Sequence, residues 1–267
     1  MDEAINSMDT KKISLSRLAG GALLGTVVAL ALSPTAAATP FVITQIGTSG
    51  GNPGGLPVYE VSDLIQGDVF NLNWFHDVQV DGETVELSAT GTVTVTTVTA
   101  NNLVLDVILA NTSDMSTTFI GDLGIRLTVF GLSVDGIDTM NPFNPPADGT
   151  FLTNRDFSTF AGFNAFGDLA CATSGTNCAG GASGGIVASS MDTFTMNMNG
   201  IFDTNNVTLD AFAIKLQTNF DSEDSDSQDD SFELPGVPSP IPEPSSLILL
   251  GLGLGALGLL GRRRSLR

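Results

Sequence analysis

Between Phe70 and Leu216 apolar side chains recur at every second position, in short runs cut by turn-forming pairs. Phe70, Leu72 and Trp74 share one side of such a run, as do Val85, Leu87 and Ala89, while Val93 and Val95 alternate with Thr92, Thr94 and Thr96. Leu103, Leu105, Val107 and Leu109 make the next run. Ile125, Leu127 and Val129 follow, then Phe194, Met196 and Met198, and finally Phe212, Ile214 and Leu216. A repeat of two belongs to the β-strand, whose successive side chains point to opposite faces. The separating pairs Asp81-Gly82, Asn101-Asn102, Gly121-Asp122, Asp135-Gly136 and Asn205-Asn206 are turn formers. Residues 39–220 therefore read as one all-β domain, a β-sandwich of jelly-roll-like type. Pro142, Pro145 and Pro146 mark a long loop, and the Phe-rich stretch Asp156–Leu169 leaves room only for a short helix.

The charge distribution narrows the partners. The 267 residues carry 29 acidic against 10 basic side chains, a formal net charge of −19. Lys11, Lys12 and Arg17 lie near the start, and Arg262, Arg263, Arg264 and Arg267 at the end. Between residues 39 and 244 only Arg126, Arg155 and Lys215 remain, against every acidic residue except Asp2, Glu3 and Asp9. Such a domain repels phosphate backbones, so nucleic acid is excluded as a partner. The acidity has two readings, solubility outside the cell or cation binding by clustered carboxylates, of which the first is the simpler.

Both ends carry targeting patterns. Lys11, Lys12 and Arg17 precede an uncharged apolar run, Leu18 to Leu32, which Pro34 interrupts before Ala36-Ala37-Ala38. Basic region, short apolar run and A-x-A site in that order read as a secretory signal peptide over residues 1–38, cut by signal peptidase after Ala38. The run is too short for a membrane anchor of roughly 20 residues. Met1 and Met8 are both candidate starts, and Met8 lies nearer the basic residues.

At the other end, Pro242-Glu243-Pro244 precedes an uncharged apolar segment, residues 245–261, and then Arg262-Arg263-Arg264. As a helix the segment reaches roughly 25 Å, enough to cross a hydrocarbon core. The arginines stop transfer and stay on the cytoplasmic side, which puts the domain outside. Pro242 and Pro244 keep the backbone before the helix extended, as a protease requires. These parts resemble the PEP-CTERM sorting signal of bacterial surface proteins, over residues 241–267. The resemblance implies that a membrane-embedded cysteine protease, exosortase, recognises the tag and removes the helix. It also implies a setting of exopolysaccharide and biofilm. The protein is then held transiently in the inner membrane and released to the cell surface or beyond.

Residues 221–240 read as a linker. Asp221 to Asp230 contains no apolar residue, and Pro235, Pro238 and Pro240 follow. Such a stretch is expected to be a disordered, extended acidic stalk. Read as an EF-hand loop from Asp221 it fails, with Asp226 at the glycine position and Phe232 at the final glutamate position.

Cys171 and Cys178 are the only cysteines, and in an exported chain the expectation is a disulfide. The cysteine loop followed by Ala179-Gly180-Gly181 also resembles the cistern subgroup of PEP-CTERM proteins, which brings no known activity. A metal site would need further ligands, and His76 is the one histidine. No metal and no cofactor are expected.

Three motif matches fail on context. Gly181-Ala182-Ser183-Gly184-Gly185 fits G-x-S-x-G, but no histidine follows it. Gly253-Leu254-Gly255-Ala256-Leu257-Gly258 fits G-x-G-x-x-G inside the apolar segment, with no strand before it. His76-Asp77 lacks a free nucleophile. The sequence thus points to a non-enzymatic surface or matrix protein associated with exopolysaccharide. The alternative is a calcium- or carbohydrate-binding module, with Trp74, Tyr59, Asp135 and Asp138 as its candidate cluster.

Overall fold

A computed structural model describes residues 41–80, 83–114, 124–145, 148–181, 184–218 and 231–241. The expected signal peptide, the acidic run 221–230 and the apolar segment 245–261 lie outside the described residues. No helix among the described residues is long and apolar enough to cross a membrane.

The strands form two antiparallel sheets. The larger has the order β1 (Val42–Thr48), β2 (Pro57–Leu64), β11 (Val207–Gln217), β6 (Arg126–Val134), β8 (Asp168–Thr173) and β7 (Asn154–Thr159). Two short strands complete it: β12 (Ser231–Pro235) on β11 and β9 (Ile186–Val187) on β6. The smaller sheet has the order β10 (Ser190–Asn199), β5 (Asn102–Asn111), β4 (Glu83–Thr99), β3 (Val69–Val80) and β13 (Val237–Pro240).

The sheets pack face to face through the alternating apolar positions. Phe70, Leu72, Trp74, Val93, Leu105 and Phe194 of the smaller sheet share one buried cluster with Phe130, Leu132, Leu209, Phe212 and Ile214 of the larger. Aromatic rings bridge the interface: Phe70 to Phe212 at 5.5 Å between centroids, Trp74 to Phe130 at 6.2 Å and Phe130 to Phe194 at 5.9 Å. Each buried large apolar side chain contributes about 1.5–3 kcal/mol, so this seam is the main source of stability.

A second, smaller cluster lies on the far side of the larger sheet. Phe160, Phe163, Leu169 and both cysteines cover Val58, Val129, Ala211 and Ala213 there. A single 3-10 turn, Asn164–Phe166, is what the Phe-rich stretch yields. Gly131 permits the close approach, since a Cβ there would lie 3.0 Å from the Phe160 ring and 3.1 Å from Cys171 Sγ.

Two sequence expectations need correction. Ile125, Leu127 and Val129 do not share a face. The pairing of β6 with β11 shifts between Leu127 and Val129, so Leu127 faces the main core and Val129 the second cluster. A bulge adds a residue and inverts the alternation beyond it. The second correction concerns residues 231–240, the latter half of the expected linker. They are strands β12 and β13, one in each sheet. Phe232 and Leu234 are buried in the main core, and Gly236 carries the chain from one sheet to the other.

Candidate functional site

The last two strands place the sorting segment. Glu233 of β12 is 5 % exposed. Its carboxylate lies 3.6 Å from the Lys215 ammonium and accepts the Asn52 backbone N–H at 3.3 Å. Gly236 N–H donates to Phe212 O at 2.6 Å. Strand β13 then pairs with β3 at the edge of the smaller sheet, ending with Pro240 opposite Phe70. Prolines are tolerated at such an edge, where no further strand needs their missing N–H. Ile241, the next residue, is 37 % exposed. Pro242-Glu243-Pro244 therefore begins two residues beyond the folded sandwich, and the stretch from Pro240 to Ser245 spans at most roughly 18 Å. Pro242, Glu243, Pro244, Arg262, Arg263 and Arg264 lie outside the described residues, as do Ala36 and Ala38.

The other sequence candidates lie on several elements. Cys171 and Cys178 are joined in a disulfide, and both are fully buried in the second cluster. Trp74, offered as a ligand-facing aromatic, is 2 % exposed and part of the core, so its ring is closed to a ligand. Tyr59 sits in β2, whereas Asp135 and Asp138 sit in the turn after β6. Among the described residues no three His, Cys, Asp or Glu side chains stand close enough to hold a metal ion. His76 lies within β3, with its ring 6.1 Å from that of Phe232. Partial burial pulls His76 below its ordinary pKa, against the opposing charge of Asp77.

Asp210 is a titratable group that sequence patterning does not single out. It pairs with Glu60 on one side and Ser133 on the other, and its Oδ1 is buried with no partner among the described residues. Burial, aided by the charges of Asp135 and Glu60 and opposed by a hydrogen bond from Ser133, pushes its pKa up to about 6. The folded state thus holds this proton more tightly than the unfolded chain. The resulting stabilisation is complete below the unfolded value, is lost as pH rises towards 6, and is absent above it. Asp210→Asn is expected to remove that pH dependence and to stabilise the domain at pH 7 by about 1–2 kcal/mol, after discounting for solvent screening. Urea midpoints at pH 4 and pH 7 for both proteins check this; equal shifts at the two pH values would contradict it.

The smaller sheet presents a shallow cleft of about 340 Å³ on its outward face. Asn71, Asn73, Thr90 and Thr92 line it, with Ile108, Ala110 and Met191 on the side towards β10. These are the polar and outward partners of the alternations that build the core. Apart from Thr92, which alternates with Val93 and Val95, they do not stand out in the sequence, because the apolar half of each run carries the strand pattern. The pairs Asn71, Asn73 and Thr90, Thr92 were the available signal.

The chain carries a PEP-CTERM protein-sorting motif over residues 240–264, which include Pro242, Glu243, Pro244 and Arg262–Arg264. The motif implies an exported cell-surface protein that is sorted by exosortase. Its first residue, Pro240, is also the last residue of β13. The match does not reach the loop Cys171–Gly181, on which the cistern resemblance rests. No curated protein and no solved structure matches the chain.

Proposed function

We propose that this protein is a non-enzymatic component of the bacterial surface layer or extracellular matrix, working among exopolysaccharide. Signal peptidase removes residues 1–38, the apolar segment 245–261 holds the domain transiently at the inner membrane, and exosortase then releases it. The observation that carries this reading is the sorting motif joined directly to the last strand of a disulfide-stapled β-sandwich. A disulfide suits an oxidising, extracytoplasmic setting. The lone histidine rests against Phe232, and both thiols are used in the bridge, which supports a structural or binding role over catalysis.

Intact-mass analysis with and without exosortase tests the sorting. The expected mature form has lost residues 1–38 and ends near Pro244. Without exosortase, a longer form retaining Arg262–Arg264 should accumulate in the membrane fraction. A stable membrane form that keeps those arginines while exosortase is active would overturn the reading.

A further inference from the structure

The outward face of the smaller sheet is a grid whose chemistry differs from the rest of the domain. Register places Val237, Asn73, Thr90, Ala110 and Met191 side by side across its five strands. The adjoining row is Ser239, Asn71, Thr92, Ile108 and Thr193. Neither row holds a charge, although the chain as a whole stands at −19. Carboxylates begin only outside the rows, with Asp106 beside Thr94 and with the pair Asp77 and Glu86 beyond Phe75.

Asn71 and Thr92 hold each other, Thr92 Oγ1 donating to Asn71 Oδ1 at 3.0 Å. That bond leaves the two N–H groups of the Asn71 amide pointing for other acceptors. The Asn73 amide and the Thr90 hydroxyl face each other across β3 and β4 in the next row. Ile108, Met191 and Val237 are 44 %, 60 % and 45 % exposed, and Phe75, opposite Ser88 in the next row, is 57 % exposed. Ile108, Ala110 and Met191 adjoin at the β5–β10 side, and the amides and hydroxyls of Asn71, Asn73, Thr90 and Thr92 stand between them and Val237 and Phe75 at the β3–β13 side. A protein interface favours a contiguous apolar centre. Here the centre is polar and the flanks are apolar, which matches instead a ligand that combines hydroxyls with flat C–H faces. Neighbouring strands stand roughly 4.8 Å apart, a step comparable with the repeat of a pyranose chain laid across them. The cleft volume falls at the low end of the roughly 300–1,000 Å³ of small-molecule sites.

We propose that this face, centred on Asn71, Asn73, Thr90 and Thr92, binds an uncharged polysaccharide. The ligand lies across the strands from β13 towards β10, with amides and hydroxyls meeting sugar hydroxyls and with Ile108, Met191 and Phe75 meeting ring faces. An anionic glycan is disfavoured by the acidic domain around the face, and a cationic one finds no carboxylate within the two rows. The proposal rests on the reading that the protein works among surface polysaccharides.

Affinity electrophoresis of the protein recovered from the cell surface tests it. The probes are hydroxyethyl cellulose, a galactomannan and a xyloglucan as neutral polymers, with alginate as the anionic one. At least one neutral polymer should retard the protein, to the same extent at low and high salt because no charge is engaged, and alginate should not. Asn73→Ala combined with Thr90→Ala should weaken retardation about tenfold, as expected for losing two neutral hydrogen bonds. Thr90→Asp should weaken it at least as much, whereas Gln45→Ala in the other sheet should not. Thermal melts establish that each variant folds, and Asn73→Ala alone serves if the double variant does not. Retardation by no neutral polymer, equal retardation by alginate, or unchanged binding by the variants would each overturn the proposal. So would a concentration-dependent dimer abolished by Thr90→Asp, which would assign the face to a second copy. Exosortase-dependent release without neutral-glycan binding removes only the binding face. Binding by a protein that stays in the membrane removes only the sorting reading.

Discussion

Gly236→Val is expected to lower the melting temperature of the domain by roughly 6–12 °C, taking about 3 kcal/mol for overpacking against a rigid neighbour and 2–4 °C per kcal/mol for a domain of this size. A Cβ at this position would lie 2.8 Å from both Cε2 and Nε1 of Trp74. The indole has no room to retreat. A Cβ at Gly91 would itself lie 3.1 Å from Trp74 Cζ3, and the Phe130 ring stands edge-on at 6.2 Å. Nor can the backbone yield, because Gly236 N–H is held by Phe212 O while the flanking residues pair with different sheets. The smaller Gly236→Ala should show the same effect in weaker form, and Trp74→Phe added to it should recover part of the loss. Thermal melts followed by near-ultraviolet circular dichroism read both. An unchanged midpoint for Gly236→Val would mean that the crossing between β12 and β13 is not packed on Trp74.

The same crossing explains what sequence reading misjudged. An acidic run followed by Pro235, Pro238 and Pro240 has the composition of an extended stalk, and composition averages over position. Residues 231–240 escape that average by their placement. Phe232 and Leu234 alternate around Glu233 like any other strand of the sandwich, and Glu233 meets Lys215, one of only three basic side chains between residues 39 and 244. A five-residue strand with a charge at its centre gives too short a pattern to outweigh the prolines around it. The consequence for sorting is physical. Because β13 runs to Pro240, the folded edge stands within two residues of Pro242, so the processing enzyme meets the tag beside an assembled sheet.

The long runs were legible because one physical cause, burial of alternate side chains, governs each of them. Phe70, Leu72 and Trp74, or Leu103 through Leu109, are buried as their spacing demands. The reading failed at Val129, where a bulge changes the facing without leaving a mark in composition. The second cluster around Cys171 and Cys178 was equally hidden, because β6 is apolar on both faces and the sequence assigned it only one. Among functional features, the sorting motif is contiguous and could be read directly, as could the cysteine pair. The face bearing Asn71, Asn73, Thr90 and Thr92 exists only through the register of separate strands, so no linear spacing announces it.

Asp192→Ala is expected to cost about 3–5 kcal/mol, since backbone N–H donors that lose a buried acceptor cost about 1–3 kcal/mol each and some of them regain water. Asp192 lies in β10 and is 3 % exposed. Its Oδ1 accepts the N–H groups of Thr150 at 2.8 Å and Thr193 at 2.9 Å, and its Oδ2 those of Phe151 at 2.9 Å and Leu152 at 2.8 Å. One carboxylate thus satisfies the backbone of the segment that leads into β7, at the edge of the opposite sheet. Arg155 closes the same edge. Its guanidinium donates to Thr195 O and Leu152 O, pairs with Asp148 at 3.1 Å and lies 5.0 Å over the Phe194 ring. Removing Asp192 leaves four donors without their acceptor and frees the loop on which that closure depends. The melting temperature should fall by roughly 6–20 °C, from 2–4 °C per kcal/mol. Asp192→Asn retains one acceptor oxygen and should lose about half as much, since half the acceptor sites remain. Limited proteolysis separates a local role from a general one: the alanine variant should gain a cut within residues 148–153 that the wild type lacks. A variant that melts with the wild type, or that gains no cut there, would show that this edge of the sandwich is held by Arg155 without help from Asp192.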